Sequence, residues 1–278
     1  MYKLRIAAVS VVGCFLSSSV ASAQVQSYEV TKTLYYAQDS VNAAPSVTTA
    51  ARFTTRLNAS SGDDFDSVTF LPPLAAFPIP LQDTLNDGGW KYPPQFFASK
   101  QDMDDAFLNG PTTQFQTSGG NFGSQSGDVT LDNDYYPSPG YLTGTSLTDL
   151  QGYDPAVEIT LEMSGFSFPA LSDRARIDIN VFDENFDSVF DSPSLNPSTF
   201  ELVIPANTFQ PQSEYVLEIA HWASDRTEDT GFGNGVPSFA SYETRTQVSF
   251  TTGGVVVPEP ATLSLLVGAS AMLLHRRT

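Results

Sequence analysis

The chain of 278 residues carries 31 acidic and 13 basic residues, a formal net charge of −18, with 19 glycines, 19 prolines and one cysteine. A field of that sign repels phosphate backbones and anionic lipid, which argues against nucleic-acid binding. A single cysteine forms no intrachain disulfide, so stability must come from a packed core, which a chain of this length can supply.

Lys3 and Arg5 precede a mostly apolar stretch from Ile6 to Leu16, and Ala21-Ser22-Ala23 has the small-x-small pattern cut by signal peptidase. Residues 1–23 therefore read as a signal peptide, with Ala21 and Ala23 at the cleavage site and Gln24 as the first mature residue. Val11-Val12-Gly13-Cys14 offers an alternative, a lipobox whose cysteine would be lipidated. The apolar run continues through Phe15 and Leu16, which favours cleavage after Ala23.

From residue 24 to 254 the punctuation is that of a β protein: short runs with period-two alternation, separated by Gly, Pro, Asn, Asp and Ser. In the first half strands are expected at 28–36, 52–57, 67–71, 114–117 and 128–131. One helix is expected near 99–109, where Ser99 can cap, Met103 and Phe107 share a face, and Asn109-Gly110 terminates. The glycine-rich stretch 118–127 reads as a hairpin tip, since no helix comes after it. This half, 24–134, is expected to be a β-sandwich-like domain, bounded by the turn-rich residues 132–139; a single twisted domain spanning both halves is the alternative.

The second half, 135–254, alternates more clearly. Val157, Ile159, Leu161 and Met163 face one way; Ile177, Ile179 and Val181, then Phe200, Leu202 and Ile204, then Tyr215, Leu217 and Ile219, repeat the pattern. Val248 and Phe250 close it. Residues 209–219, FQPQSEYVLEI, place a large residue, a proline two later and a tyrosine four further on. This resembles the entry to the penultimate strand of fibronectin type III and immunoglobulin-like domains. The resemblance implies an antiparallel sandwich in which the Tyr215 hydroxyl pins the corner to its connecting backbone. The stretch from His221 to Glu243 is expected to be a long loop. The fold class is thus mainly β: two antiparallel sandwiches with one short helix, flanked by a signal helix and a short C-terminal transmembrane helix.

Little in this body points to catalysis. His221 is the one histidine outside the termini, so a Ser-His-Asp or Cys-His system would have to use it. A carboxylate-based glycoside hydrolase needs only two acids. The clusters Asp63-Asp64-Phe65-Asp66, Asp104-Asp105 and Asp183-Glu184 read rather as solvated loop charges. Asp183, Asn185 and Asp187 space oxygen ligands as a calcium loop does, yet Ser188 stands where the turn glycine belongs and Ser194 where the bidentate glutamate belongs. A hairpin turn is the competing reading, and calcium is the single cofactor considered. Exposed rings could form a glycan platform, with Trp90 and Tyr92 as candidates beside Tyr35-Tyr36, Phe96-Phe97 and Tyr135-Tyr136. The expectation is a protein that is not an enzyme.

The chain closes on Pro258-Glu259-Pro260, an uncharged run 261–274, and Arg276-Arg277. The prolines end the preceding segment and suit the first turn of a new helix. Fourteen helical residues reach about 21 Å against a hydrocarbon core of about 30 Å, short for a permanent span. The terminal arginines favour the cytoplasmic side, leaving the body across the membrane. Residues 257–278 closely resemble the PEP-CTERM sorting signal of bacterial exported proteins. That resemblance implies recognition at Pro258, Glu259 and Pro260, transient anchoring in the inner membrane, processing by an exosortase-type enzyme, and release to the surface or an exopolysaccharide matrix. His275 before the arginines is a small departure. Of the 13 basic residues, Lys3, Arg5, Arg276 and Arg277 lie in the two terminal segments, as does one acid, Glu259. The body therefore holds nine basic and 30 acidic residues. The reading is an exported surface or matrix protein; a glycan- or calcium-binding adhesin is the alternative, and a glycoside hydrolase a weaker one.

Overall fold

The computed structural model describes residues 25–254 apart from 62, 63, 85–88, 121, 133, 167–171, 233 and 234. The expectations at Cys14, Ala21, Ala23, Pro258, Glu259, Pro260, Arg276 and Arg277, and the apolar run 261–274, lie outside the described residues. Among the described residues no helix is long and apolar enough to cross a membrane.

In chain order the elements are β1 (Val25–Ala37), β2 (Thr48–Ala59), β3 (Ser67–Leu71), β4 (Ile79–Pro80), β5 (Gln82–Asp83), β6 (Gly89–Phe97), α1 (Lys100–Ala106), β7 (Thr112–Ser118) and β8 (Gln125–Thr130). Next come α2 (Ser146–Leu150), β9 (Ile159–Glu162), β10 (Arg174–Asp183), β11 (Ser188–Asp191), β12 (Glu201–Ile204), β13 (Glu214–Asp229) and β14 (Val236–Thr251). The protein is mainly β, and its strands form three sheets. One has eight strands in the order β11-β10-β13-β14-β1-β2-β6-β5; the others are β4-β3-β7-β8 and β12-β9.

Two small sheets cover one face of the large one, and two cores lie between them. Tyr28, Val30, Phe53 and Leu57 on the large sheet meet Val68, Phe70, Phe115 and Val129 on the four-stranded sheet. Ile177, Ile179, Leu217, Ile219 and Val248 meet Ile159, Leu161, Leu202 and Ile204 on the two-stranded one. Each set occupies alternate positions of its strand, the period that places every second side chain on one face. Burying such a side chain contributes roughly 1.5–3 kcal/mol. Two layers enclosing an apolar interior at each of these places make this a β-sandwich.

The sheet does not divide at residue 134. The expected halves, 24–134 and 135–254, share the eight-stranded sheet, because β14 pairs antiparallel with β13 along its whole length and parallel with β1 on its other edge. This parallel ladder, from Tyr28↔Ser238 to Ala37↔Gln247, makes the sheet mixed rather than antiparallel. The expected loop from His221 to Glu243 is also corrected. Residues 221–229 and 236–243 extend β13 and β14 to 16 residues each, leaving a short turn. Their alternation is hidden in the sequence because Ala223, Ser224, Ser238, Ala240 and Ser241 are small, and because the charged Asp225, Arg226 and Glu228 sit within strands.

Local signals elsewhere act as their chemistry dictates. Ser99 Oγ accepts the Asp102 amide and starts α1, which buries Met103. The Gln210 amide donates to Tyr215 Oη at 2.8 Å, forming the tyrosine corner, with the Tyr215 ring 4.9 Å from Phe209. Gly140 lies so close to β13 that a Cβ there would stand 2.6 Å from both Ile219 Cγ2 and His221 Nε2.

Candidate functional site

The residues nominated by sequence fall mostly into structural roles. Trp90 is 8 % exposed and belongs to the core, while the Tyr92 ring packs edge-on 5.1 Å from Phe70. They form no exposed sugar platform, because β6 turns both rings under the four-stranded sheet. Asp183 Oδ1 accepts the amides of Asn185 (2.8 Å) and Asp187 (3.0 Å), and Phe186 takes φ 63° in the turn that joins β10 to β11. That carboxylate closes a hairpin, as Asx turns do. Among the described residues no group of three or more His, Cys, Asp or Glu is placed to hold a metal ion.

His221 sits in the middle of β13, not at its end, and is fully buried. Its ring stacks on Phe166 at 4.5 Å and Nδ1 lies 2.8 Å from the Ser138 carbonyl. Burial lowers its pKa to about 4, against the pull of that carbonyl, so the imidazole is neutral at pH 7 and out of reach of substrate. The acid clusters are likewise occupied. Asp64 accepts from Ser60 Oγ and the Ser61 amide. Asp104 holds the fully buried Lys32 at 2.6 Å, and Lys32 Nζ also donates to Asn109 Oδ1 at 2.8 Å. Asp225 stands beside Asp173, and burial together with that neighbour raises its carboxyl above the usual range. The cavity this carboxylate lines, with Asp132 and Tyr135, has a volume of about 10 Å³, room for one water and no sugar ring.

The feature that sequence reasoning missed is the other face of the eight-stranded sheet, on which no further sheet packs among the described residues, although Thr33, Glu218, Ser241 and Glu243 on it are buried. Strand register arranges it in rows. One row runs Arg176, Trp222, Glu243, Thr33, Arg52, Phe96 across β10, β13, β14, β1, β2 and β6. The row on one side holds Asp178, Ala220, Arg245 and Tyr35; beyond it lie Asp191, Asn180, Glu218 and Gln247. On the other side come Arg174, Ser224, Ser241 and Thr31, then Arg226, Phe239, Glu29, Arg56 and Lys91.

Seven of the nine basic residues of the body thus stand on one face; Lys32 and Lys100 are the other two. A network ties its middle. Arg245 donates to Glu218 (2.5 Å) and to Glu243 (2.8 Å), Glu243 accepts from Thr33 (2.9 Å), and Arg52 reaches Glu243 at 3.4 Å. Burial works against the Arg245 charge, and Glu243 and Glu218 overcome it, so its pKa is raised. Guanidinium groups also cover rings: Arg176 over Trp222 at 4.3 Å, Arg174 over Phe239 and Arg52 over Tyr35, each at 5.4 Å. Arg56, Lys91 and Arg174 have no ion pair among the described residues. The Nε groups of Arg52, Arg56, Arg226 and Arg245 are shielded from solvent without a hydrogen-bond acceptor. Phe96 is 65 % exposed beside them. A signal for this face existed in the alternation of Arg52 and Arg56, and of Arg174 and Arg176, but its assembly required the register.

Fold and site together define a β-sandwich protein with a charged outer sheet face. Comparison with known proteins adds no narrower class. No protein-family model matches the chain, and no curated protein matches it. Among solved structures it is similar to the crystal structure of chicken CNTN1 FN1-FN3 domains, at 9% identity and a TM-score of 0.24, covering 80% of this chain and 67% of that one. A likeness of that strength assigns no activity.

Proposed function

We propose that the chain is a non-enzymatic exported surface or matrix protein, sorted through its C-terminal Pro258-Glu259-Pro260 signal and associated with exopolysaccharide. The observation that supports the reading is the outer face of the eight-stranded sheet, a broad array of charged side chains whose rim residues Lys91, Phe96 and Asp191 are exposed, suited to docking rather than to enclosing a substrate. The sealed His221 favours it over a histidine-based hydrolase, and the hairpin role of Asp183 over a calcium module. The four strands β11-β10-β13-β14 facing β9 and β12, with the tyrosine corner at Tyr215, support a fibronectin type III-like assignment for residues 135–254. In this reading the N-terminal signal is removed after Ala23, residues 261–274 tether the protein to the inner membrane, and an exosortase-type enzyme releases it.

Deletion of residues 258–278 in the producing cells tests the proposal. The expected result is a protein found in the medium, while the full chain passes through a membrane fraction and yields a mature form ending near Pro258 by mass spectrometry. A deleted chain that still sediments with membrane overturns it and turns attention to Cys14.

A further inference from the structure

We infer that Lys32 and Asn109 become joined by an isopeptide bond that the folded chain makes on itself, with Asp104 as the proton acceptor. Lys32 continues the inward row of Tyr28, Val30 and Leu34 on β1, and register sets Phe53 of β2 and Tyr242 of β14 on either side of it, both in the core. The Phe53 ring stacks on Phe107 at 3.6 Å, and the Lys32 side chain is fully buried. An ammonium group is costly to keep in such a place.

The contacts of Lys32 are those of a nucleophile beside its base and its electrophile. Nζ lies 2.6 Å from Asp104 Oδ1 and 2.8 Å from Asn109 Oδ1. These two acceptors leave the third N–H of an ammonium without a partner among the described residues. Asp104 is shared besides, since its Oδ2 accepts from Lys100 at 2.5 Å. Desolvation lowers the Lys32 pKa in spite of the hydrogen bond and charge of Asp104, which favours the neutral, nucleophilic amine. A carbonyl bond of about 1.23 Å puts Asn109 Cγ within about 4 Å of Nζ, a small side-chain rotation from the reacting distance of about 3–3.5 Å. Asn109 Nδ2, the leaving group, donates to Asp134 Oδ1 at 2.6 Å, which holds the carboxamide with its oxygen edge toward Nζ.

The step balances without a cofactor or an oxidant. Asp104 takes one proton from the Lys32 ammonium, and the freed lone pair on Nζ adds to Asn109 Cγ. As the tetrahedral carbon collapses, a second Nζ proton passes to Nδ2 and the Cγ–Nδ2 bond breaks. Ammonia leaves past the half-buried Asn109 and carries off the proton held by Asp104. One N–H remains on the new amide, so a neutral group replaces a buried charge. The bond ties β1 to the segment between α1 and β7, 77 positions away, in a chain whose one cysteine forms no intrachain disulfide. A closed loop of that length restricts the unfolded chain as a disulfide does, and reductants do not open it.

The test is mass spectrometry of a tryptic digest of the full chain purified from the producing cells. Loss of one ammonia, about 17 Da, does not decide alone, because cyclisation of Gln24 or a succinimide at Asn109-Gly110 loses the same mass. Trypsin decides, since it does not cut after an acylated lysine. The expected product is a branched peptide that joins a segment ending at Arg52, uncut after Lys32, to residues 101–174, lighter than its two parts by one ammonia. In Asn109→Ala and Asp104→Asn the branched peptide is expected to fall at least tenfold and cleavage after Lys32 to return. Circular dichroism matching the wild type shows that each variant is folded, and the wild-type digest decides on the bond even where one is not. A wild-type chain cut after Lys32, with residues 101–174 recovered as a linear peptide or its succinimide, overturns the inference. A folded Asp104→Asn that yields as much branched peptide as the wild type overturns the role given to Asp104.

Discussion

Acidification tests the burial of His221 directly. In the unfolded chain its imidazole titrates at its ordinary value of 6.5, whereas burial against Phe166 lowers the folded value to about 4. A depressed histidine pKa means that the unfolded state takes up the proton first. The stability held by the neutral ring is complete above pH 6.5, declines as pH falls toward 4, and changes no further below that. The slope is at most about 1.4 kcal/mol per pH unit, and the whole window amounts to about 3 kcal/mol. His221→Asn keeps an amide donor for the Ser138 carbonyl and cannot titrate. Urea unfolding of both proteins, followed by tryptophan fluorescence at pH 7, 6, 5 and 4, isolates the effect, because carboxylates common to both cancel in the difference. The stability advantage of wild type over the variant should shrink by about 3 kcal/mol between pH 7 and 4. A difference that stays constant over this range would falsify the account of a sealed, neutral imidazole.

Two further substitutions probe the supports of the fold. Tyr215→Phe removes the hydroxyl that accepts the Gln210 amide and should cost about 1 kcal/mol in urea unfolding; an unchanged midpoint would show that the corner is held by ring packing alone. Asp104→Ala leaves the fully buried Lys32 ammonium with Asn109 as its neutral partner, which should cost about 3 kcal/mol or more. Adding Lys32→Met should recover much of that loss, because an apolar side chain needs no counter-charge in that site. If the double variant is as unstable as Asp104→Ala, the buried cation is not what the substitution exposed.

How far the chain can be read depends on the range of the forces involved. The helix at Ser99, the hairpin at Asp183 and the corner at Tyr215 are set by atoms within five residues of one another, and each is legible from its local pattern. Strands with apolar alternation, such as 67–71 and 159–162, are legible for the same reason. The outer half of the β13-β14 hairpin is not, since its buried positions are Ala223, Ser224, Ser238 and Ala240, and small residues give no periodic hydrophobic signal. Trp90 and Tyr92 illustrate the converse, because exposure is a property of what packs over a ring and not of the ring itself.

Residue order alone dictates the mainly β character, the acidic balance, the dependence on a core without disulfides, and the local turns and caps. It also holds, in its two ends, the expectation of export and sorting. That the two halves share a sheet emerges only in the folded chain. The outcome rests on β14 taking β1 as a parallel neighbour, a contact between residues more than 200 positions apart that no local pattern encodes. The same ladder brings Arg52 and Arg56 from the first half alongside Glu243, Arg245 and Arg174 from the second. Scattered cations in an acidic chain become a single neutral face because strand register, rather than sequence spacing, sets which charges are neighbours.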